Sequence, residues 1–278
     1  MKQTIREEIQ RLIMEDPGNL RPDGGRWFDG PIVNFAAADD PLFASYKEII
    51  GPFHLTPGEA LQRAYPAQKP KAATVICWIL PIARSTRESN RQMDRWPSRE
   101  WAETRTHGEA FNMLLRRQVV SLIEAAGGKA VAPQLLAEWR QMDDTPAGIA
   151  SPWSERHAAY AAGLGTFSLN DALITERGIA HRCGSVVTDL KLEPEPRTAP
   201  DRTHNCLYHR DGSCGLCIRR CPVGAISTAG HDKNKCRDYV YLTVPDAVGK
   251  DYNVSATGCG LCQTRVPCEE RIPPGKKK

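Results

Sequence analysis

The placement of the cysteines constrains this chain more than any other feature. There are ten in 278 residues, and eight of them fall between Cys206 and Cys268. Their order is Cys206-x7-Cys214-x2-Cys217-x3-Cys221-Pro222, then Cys236, then Cys259-x2-Cys262-x5-Cys268. The tetrapeptide Cys-Gly-Leu-Cys occurs twice, at Cys214–Cys217 and Cys259–Cys262, which suggests two equivalent half-sites. A chain this long buries roughly 75% of its unfolded surface and needs no disulfides to fold. The N-terminus, Met1 to Glu8, is a charged helix start without the apolar core of a secretory signal. The longest apolar run, Ala72 to Ala83, is interrupted by Pro81 and falls short of the ~20 residues of a membrane span. The expected setting is cytoplasmic, with no membrane partner. Clustered thiols in a reducing compartment usually hold metal.

The spacing points to a metal type. Bacterial-type ferredoxins use C-x2-C-x2-C-x3-C-P, in which the fourth cysteine ligates the other cluster. Cys214, Cys217 and Cys221-Pro222 match the last three positions; Asp211 occupies the first, and Cys206 lies five residues earlier. Cys206 is expected to substitute through a longer loop. The eight cysteines then divide into Cys206, Cys214, Cys217 and Cys268 for one [4Fe-4S] cluster, and Cys221, Cys236, Cys259 and Cys262 for a second. Structural zinc is the competing reading, because paired C-x2-C units also build zinc ribbons. The C-x3-C-P ending and the crossed count of eight favour two cubanes. Cys77 and Cys183 are read as buried, inert thiols.

A ferredoxin needs only the last 75 or so residues. The preceding 200 read as a mixed α/β domain, with the boundary in the proline-containing stretch Lys191 to Pro200. Expected helices cover 3–15, Pro41–Ile50, His107–Ala126 and a segment opened by Ser151-Pro152. Expected strands cover Thr74–Leu80, Lys129–Ala132, Ala172–Thr175 and Gly184–Leu192. Residues 17–70 are Gly- and Pro-rich and weakly periodic. Arg84 to Arg105 reads as a solvated, arginine-rich loop and helix start. The net charge of +4 is small, and the terminal Lys276, Lys277 and Lys278 supply three of those positives as an expected solvated tail.

Glu155-Arg156, Ala162-Gly163-Leu164-Gly165, Leu173-Ile174-Thr175, Gly184-Ser185-Val186-Val187-Thr188-Asp189 and the cysteine module follow one another in an order that resembles epoxyqueuosine reductase. That family is cobalamin-dependent, carries iron–sulfur clusters and is related to reductive dehalogenases. The resemblance runs from about residue 145 to 270, and it is to a short form lacking the C-terminal helical-repeat domain. It implies an α+β chain: a nitroreductase-like α/β domain over residues 1–200, joined to a two-[4Fe-4S] bacterial ferredoxin-like domain over 201–278.

The resemblance further implies electron flow from the clusters to a cobalamin. Gly163, Leu164, Gly165, Thr166, Phe167 and Ser168 match the corrin-lining segment, although an ordinary helix C-cap explains the glycines equally well. The family's proton-donating aspartate falls at Ile149, so another donor is needed. Asp144, His157 and Tyr160 are the candidates, with Asp143 and His181 nearby in sequence. The expected activity is reduction of a small molecule or corrinoid, using a low-potential donor such as ferredoxin or flavodoxin. A non-catalytic electron carrier is the alternative. The small net charge and the missing repeats argue against a nucleic-acid partner.

Overall fold

An eight-residue strand, Thr74–Pro81, is buried along its whole length and organises the molecule. The computed structural model describes residues 1–275; Lys276, Lys277 and Lys278 lie outside the described residues. In chain order the first part comprises α1 (Lys2–Glu15), β1 (Ile32–Ala37), α2 (Pro41–Ile49), α3 (Pro57–Ala64), β2 (Thr74–Pro81), α4 (Arg84–Arg91), α5 (Arg99–Glu103), a π-helical segment Thr104–Gly108, α6 (Glu109–Ala125), β3 (Ala130–Val131), α7 (Glu155–Ala161), β4 (Gly165–Phe167), β5 (Leu173–Thr175) and β6 (His181–Thr188). The second part contains α8 (Leu207–Asp211), α9 (Leu216–Arg220), β7 (Ile226–Ser227), β8 (Gly230–His231), α10 (Lys233–Asp238), π-helical segments Tyr239–Thr243 and Pro245–Gly249, and α11 (Lys250–Tyr252). The fold is mixed α/β.

The main sheet has the order β1-β2-β6-β3, with every pair antiparallel. Alternation along β2 sends its side chains to two separate cores. Ile76, Trp78 and Leu80 pack with Ile5, Ile9 and Ile13 of α1 and Phe111, Leu115 and Val119 of α6. Val75, Cys77 and Ile79 pack with Phe43 and Tyr46 of α2, Leu61 of α3, and Ala158 and Ala161 of α7. The sheet therefore lies between two helical layers. Trp78 faces Gly184 across the β2–β6 pair, and a Cβ on Gly184 would collide with the indole.

Several boundaries differ from the sequence reading. Residues 17–70 contain β1 and α3, the latter opened by a capping box in which Thr56 and Glu59 bond reciprocally. The helix before Gly163 starts at Glu155 with Ser154 at its cap position; the Ser151 hydroxyl instead donates to the Trp153 carbonyl. β6 begins three residues earlier than expected, at His181, because its pairing with β2 extends to Pro81.

Arg84 to Arg105 is not a solvated loop. Trp101 is buried, and Arg87 is 8% exposed and paired with Glu270 at 3.0 Å. These contacts clamp the first part to the C-terminal segment. Leu169, Ala172, Ile174 and Ile179 likewise share a core with Cys206, Ile226 and Val266.

Candidate functional site

All ten cysteines are free thiols. α9 places Cys217 beside Cys206 and Cys214. Burial pushes the Cys217 thiol up to about 11, and the nearby Cys206 and Cys214 sulfurs push the same way. Cys268 is raised to about 12 by burial, then by Cys206, Cys217 and Cys214. These four thiols line one cavity of about 380 Å³, open mouth included, together with Ser168, Asn170 and Ile174.

A second group forms around the other half-site. Cys259 is pushed to about 12 by burial, against the pull of the Leu261 N–H, with Cys236 and Cys221 adding to the rise. Cys262 is raised by burial and then by Cys259, Cys236 and Cys217. The thiols thus lie in two adjacent groups, one around Cys217 and Cys268 and one around Cys259 and Cys262, with Cys217 and Cys262 nearest the junction. Unmetallated, Cys217, Cys259, Cys262 and Cys268 hold their protons at neutral pH, and metal loading would release them.

Thiols are the donor set that iron–sulfur clusters take. Among the described residues, no three of Cys, His, Asp or Glu converge tightly enough for one metal ion. Four thiolates on one zinc stand ~3.8 Å apart, from a Zn–S length of about 2.3 Å. Thiolates at the corners of a cube stand wider.

Hydrogen bonds from both parts hold the loops. The Asn170 amide donates to the Cys262 carbonyl at 3.1 Å. Arg220, 8% exposed, donates to the Leu261 and Thr264 carbonyls and to Met93 and Asp94. The Ile179 N–H donates to the Cys268 carbonyl at 2.8 Å.

The segment Gly163–Ser168 does not form an open cradle. Gly163, at φ +71°, closes α7 by a Schellman motif: its N–H donates to the Tyr160 carbonyl and that of Leu164 to the Ala159 carbonyl. A Cβ on Gly163 would meet the Pro196 carbonyl at 2.9 Å, and one on Gly165 would strike the Ile174 carbonyl. Leu164 and Thr166 are buried, and the Thr166 hydroxyl accepts from the Asn205 N–H. Phe167 packs on His157 and Tyr160, while the Ser168 hydroxyl donates to Asn170. The smallness of these glycines is used up by the chain's own backbone. The residues named for a corrin thus do not fit one as they stand.

The candidate proton donors do not converge. Asp144 is exposed on the loop bridged by Met142 and Ala150, and Ile149 lies on the same loop. His157 and Tyr160 flank Phe167, with ring centroids 4.8 and 5.5 Å from it. Burial pushes His157 down to about 3, so it is neutral at pH 7. His181 is lowered to about 4 by burial; its Nε2 donates to the Leu173 carbonyl and its Nδ1 accepts from Cys183 Sγ at 3.5 Å. Asp143 is exposed, 4.0 Å from Arg237.

A charged seam escaped the sequence reading. Arg116, 1% exposed, bonds Glu109 at 3.0 Å, Glu155 at 3.2 Å and the Cys183 carbonyl at 3.0 Å. Arg182 binds the other oxygen of Glu109 at 2.5 Å. Burial would raise Glu109, but Arg182 and Arg116 hold it below the usual carboxylate range. Burial prevails at Glu155, which is raised despite Arg116 and the Ser185 hydroxyl. Arg105 is lowered by Arg182 and by burial, and it meets Tyr241 of the second part. Three guanidiniums thus face two carboxylates, leaving positive charge for an anionic ligand. The available signal was Glu109, Asn112 and Arg116, spaced at helical intervals on one face of α6.

Comparison with known proteins agrees with the resemblance. No family model matches the chain. An epoxyqueuosine reductase of Bacillus anthracis is 29% identical over 119 residues, covering 41% of this chain and 29% of that protein. One from Leadbetterella byssophila is 28% identical over 122 residues, covering 42% and 37%. The chain thus matches only about a third of the length of these relatives. Among solved structures, epoxyqueuosine reductase with an epoxyqueuosine-modified tRNA-Tyr stem loop aligns with 96% of this chain and 65% of that one, at TM-score 0.55 and 18% identity. A catabolic reductive dehalogenase with 3-bromo-4-hydroxybenzoic acid aligns with 98% and 37%, at TM-score 0.50 and 18% identity. The chain resembles epoxyqueuosine reductases in sequence and shares the mixed α/β fold of both groups. The expected exclusion of nucleic acid is not borne out, since one of these neighbours was solved with RNA.

Proposed function

We propose that the chain is an iron–sulfur reductase that binds two [4Fe-4S] clusters, one on Cys206, Cys214, Cys217 and Cys268 and one on Cys221, Cys236, Cys259 and Cys262. The observation that carries this reading is the gathering of eight free thiols into those two foursomes. When bound, such clusters supply low-potential single-electron transfer. The chain's own part is to hold the ligand loops through Arg220 and Asn170 and to keep water from the buried sulfurs. In this reading the nitroreductase-like first part receives the electrons at the seam of Arg105, Arg182 and Tyr241, and a small anionic substrate is reduced there. The donor is a low-potential protein such as ferredoxin or flavodoxin. An RNA stem loop stays among the substrates to assay.

A second reading is favoured by one observation. The filled segment Gly163–Ser168 suits a carrier that reduces a corrinoid or other redox partner by surface contact. A cobamide within the chain rests on the family resemblance alone.

Anaerobic purification with iron, zinc and cobalt analysis tests the reading. About eight irons per chain, a brown colour and no stoichiometric zinc are expected. A colourless protein with bound zinc overturns the clusters. Stoichiometric cobalt in the same sample would reinstate the cobamide. Turnover of small acceptors by the chain alone separates reductase from carrier.

A further inference from the structure

A second cleft lies away from the cavity that Cys206, Cys214, Cys217 and Cys268 line. It encloses about 1380 Å³, open mouth included, between the loop after α1, the start of α6, α5 and the end of α11. Small ligands occupy pockets of roughly 300–1,000 Å³. Its walls combine aromatic faces with cations. His107 is exposed and stacks on buried Trp27, with ring centroids 5.6 Å apart. The Arg21 guanidinium lies 5.7 Å from the Trp27 ring centre, and that of Arg99 lies 4.9 Å from the centre of Tyr252. Arg21 is already paired with Asp23 at 2.8 Å, whereas Arg99 has no acidic partner among the described residues and donates to the Asp251 carbonyl.

Arg21 supplies an independent sign of an incomplete site. Its side chain is 8% exposed and is held by Thr86 and Asp23, yet its Nε–H is buried without an acceptor. An unsatisfied buried donor costs about 1–3 kcal/mol.

We propose that this cleft binds a mononucleotide-class ligand, a planar heteroaromatic ring carrying a phosphate. The ring stacks against His107 and Tyr252, and the phosphate meets Arg99 and Arg21. The chemistry is shared by flavin mononucleotide and adenine mononucleotides. The location gives the flavin a particular use. Arg99 and Glu103 project from α5 into the cleft, while Trp101, about 200° round the helix from Arg99, packs on Gly258 and Gly260 beside Cys259. One short helix therefore separates the cleft from the second thiol group. The site itself goes beyond the cluster reading and stands whether or not iron is bound.

Calorimetric titration of the anaerobically purified full chain tests this, using flavin mononucleotide, adenosine monophosphate and inorganic phosphate as separate probes. At least one nucleotide should bind saturably, tighter than about 1 mM, and more tightly than phosphate alone. Arg99→Glu should weaken it at least tenfold, and Tyr252→Ala should weaken it too, with iron content and melting temperature unchanged. Lys71→Glu, an exposed control outside the cleft, should leave it unchanged. Binding of the flavin alone identifies a redox ligand; binding of the adenine nucleotide alone identifies a regulatory one. No saturable binding of either nucleotide, affinity matched by phosphate, or full affinity in Arg99→Glu overturns the proposal. Loss of iron in the cysteine variants, by contrast, bears only on the clusters.

Discussion

Gly178 illustrates how single atoms hold the thiol loops in place. It sits at φ +79° in the turn between β5 and β6, where only glycine is at ease. A Cβ there would strike the Glu269 carbonyl and the Glu270 nitrogen, both backbone atoms that cannot swing aside. The next residue, Ile179, donates its N–H to the Cys268 carbonyl. Gly178→Ala should therefore cost more than ~1 kcal/mol, the usual scale for alanine at positive φ, and should loosen the Cys268 segment. Thermal denaturation with iron analysis checks this; an unshifted melting temperature would refute it. Arg116 makes a contrasting case. Removing it leaves Glu109 and Glu155 buried without their shared partner, so Arg116→Ala should destabilise by about 3–5 kcal/mol. Arg116→Lys should recover only part, because one ammonium cannot reproduce the forked contacts. Equal stability of the alanine variant and the parent would show that the seam is already hydrated.

At the scale of elements, helix α7 and its surroundings carry the pH dependence. His54 accepts from the Ser154 N–H and is lowered to about 4, chiefly by burial; His157 on α7 is lowered to about 3 and His181 on β6 to about 4. A folded pKa below the unfolded value of about 6.5 means that the unfolded chain takes up the protons first. The stability contribution is complete above about pH 6.5 and is lost as pH falls toward 4. Three such groups give a limit of about 4 kcal/mol per pH unit below 6.5. Glu155, whose pKa is raised, works in the opposite sense and offsets part of this. Urea denaturation at pH 7 and pH 5 should show the loss, and a flat profile would count against all three assignments. These elements also show what the sequence made legible. α1 and α6 were readable because each places its apolar residues with one helical period, and β2 because it is one continuous apolar run. α3 was missed although Thr56-Pro57-Gly58-Glu59 spells a capping box, because its apolar face is short. The arginines of α4 were misread for a physical reason: their partners, Glu269 and Glu270, lie some 180 residues away, and no local pattern reports such a pairing.

For the whole molecule, the two thiol foursomes and the α/β layers form one mechanical unit. The clustering of the thiols was legible because eight of the ten cysteines fall within one short stretch of sequence. The seam of Arg105, Glu109, Arg116 and Arg182 was not, because buried ion pairs arise from tertiary proximity. The C-terminal segment joins the two halves. Glu269 is 3% exposed, pairs with Arg91 at 2.8 Å and Arg87 at 3.8 Å, and accepts from the Arg265 N–H at 2.7 Å. Cys268 immediately precedes it, whereas Cys221, Cys236, Cys259 and Cys262 reach their places through other loops. Glu269→Leu would leave two arginines short of their buried partner, a loss on the order of 3–5 kcal/mol, and would free the segment that presents Cys268. The expected result is selective: about half of the iron is lost, as in Cys214→Ser, while the second foursome stays loaded. Cys259→Ser should empty the other half. In Glu269→Leu combined with Cys214→Ser, iron should fall no further than in either alone, since both act on one set. Combined with Cys259→Ser, it should fall to near zero. If Glu269→Leu instead drains iron from both sets equally, the C-terminal segment holds the whole cysteine module rather than one half of it.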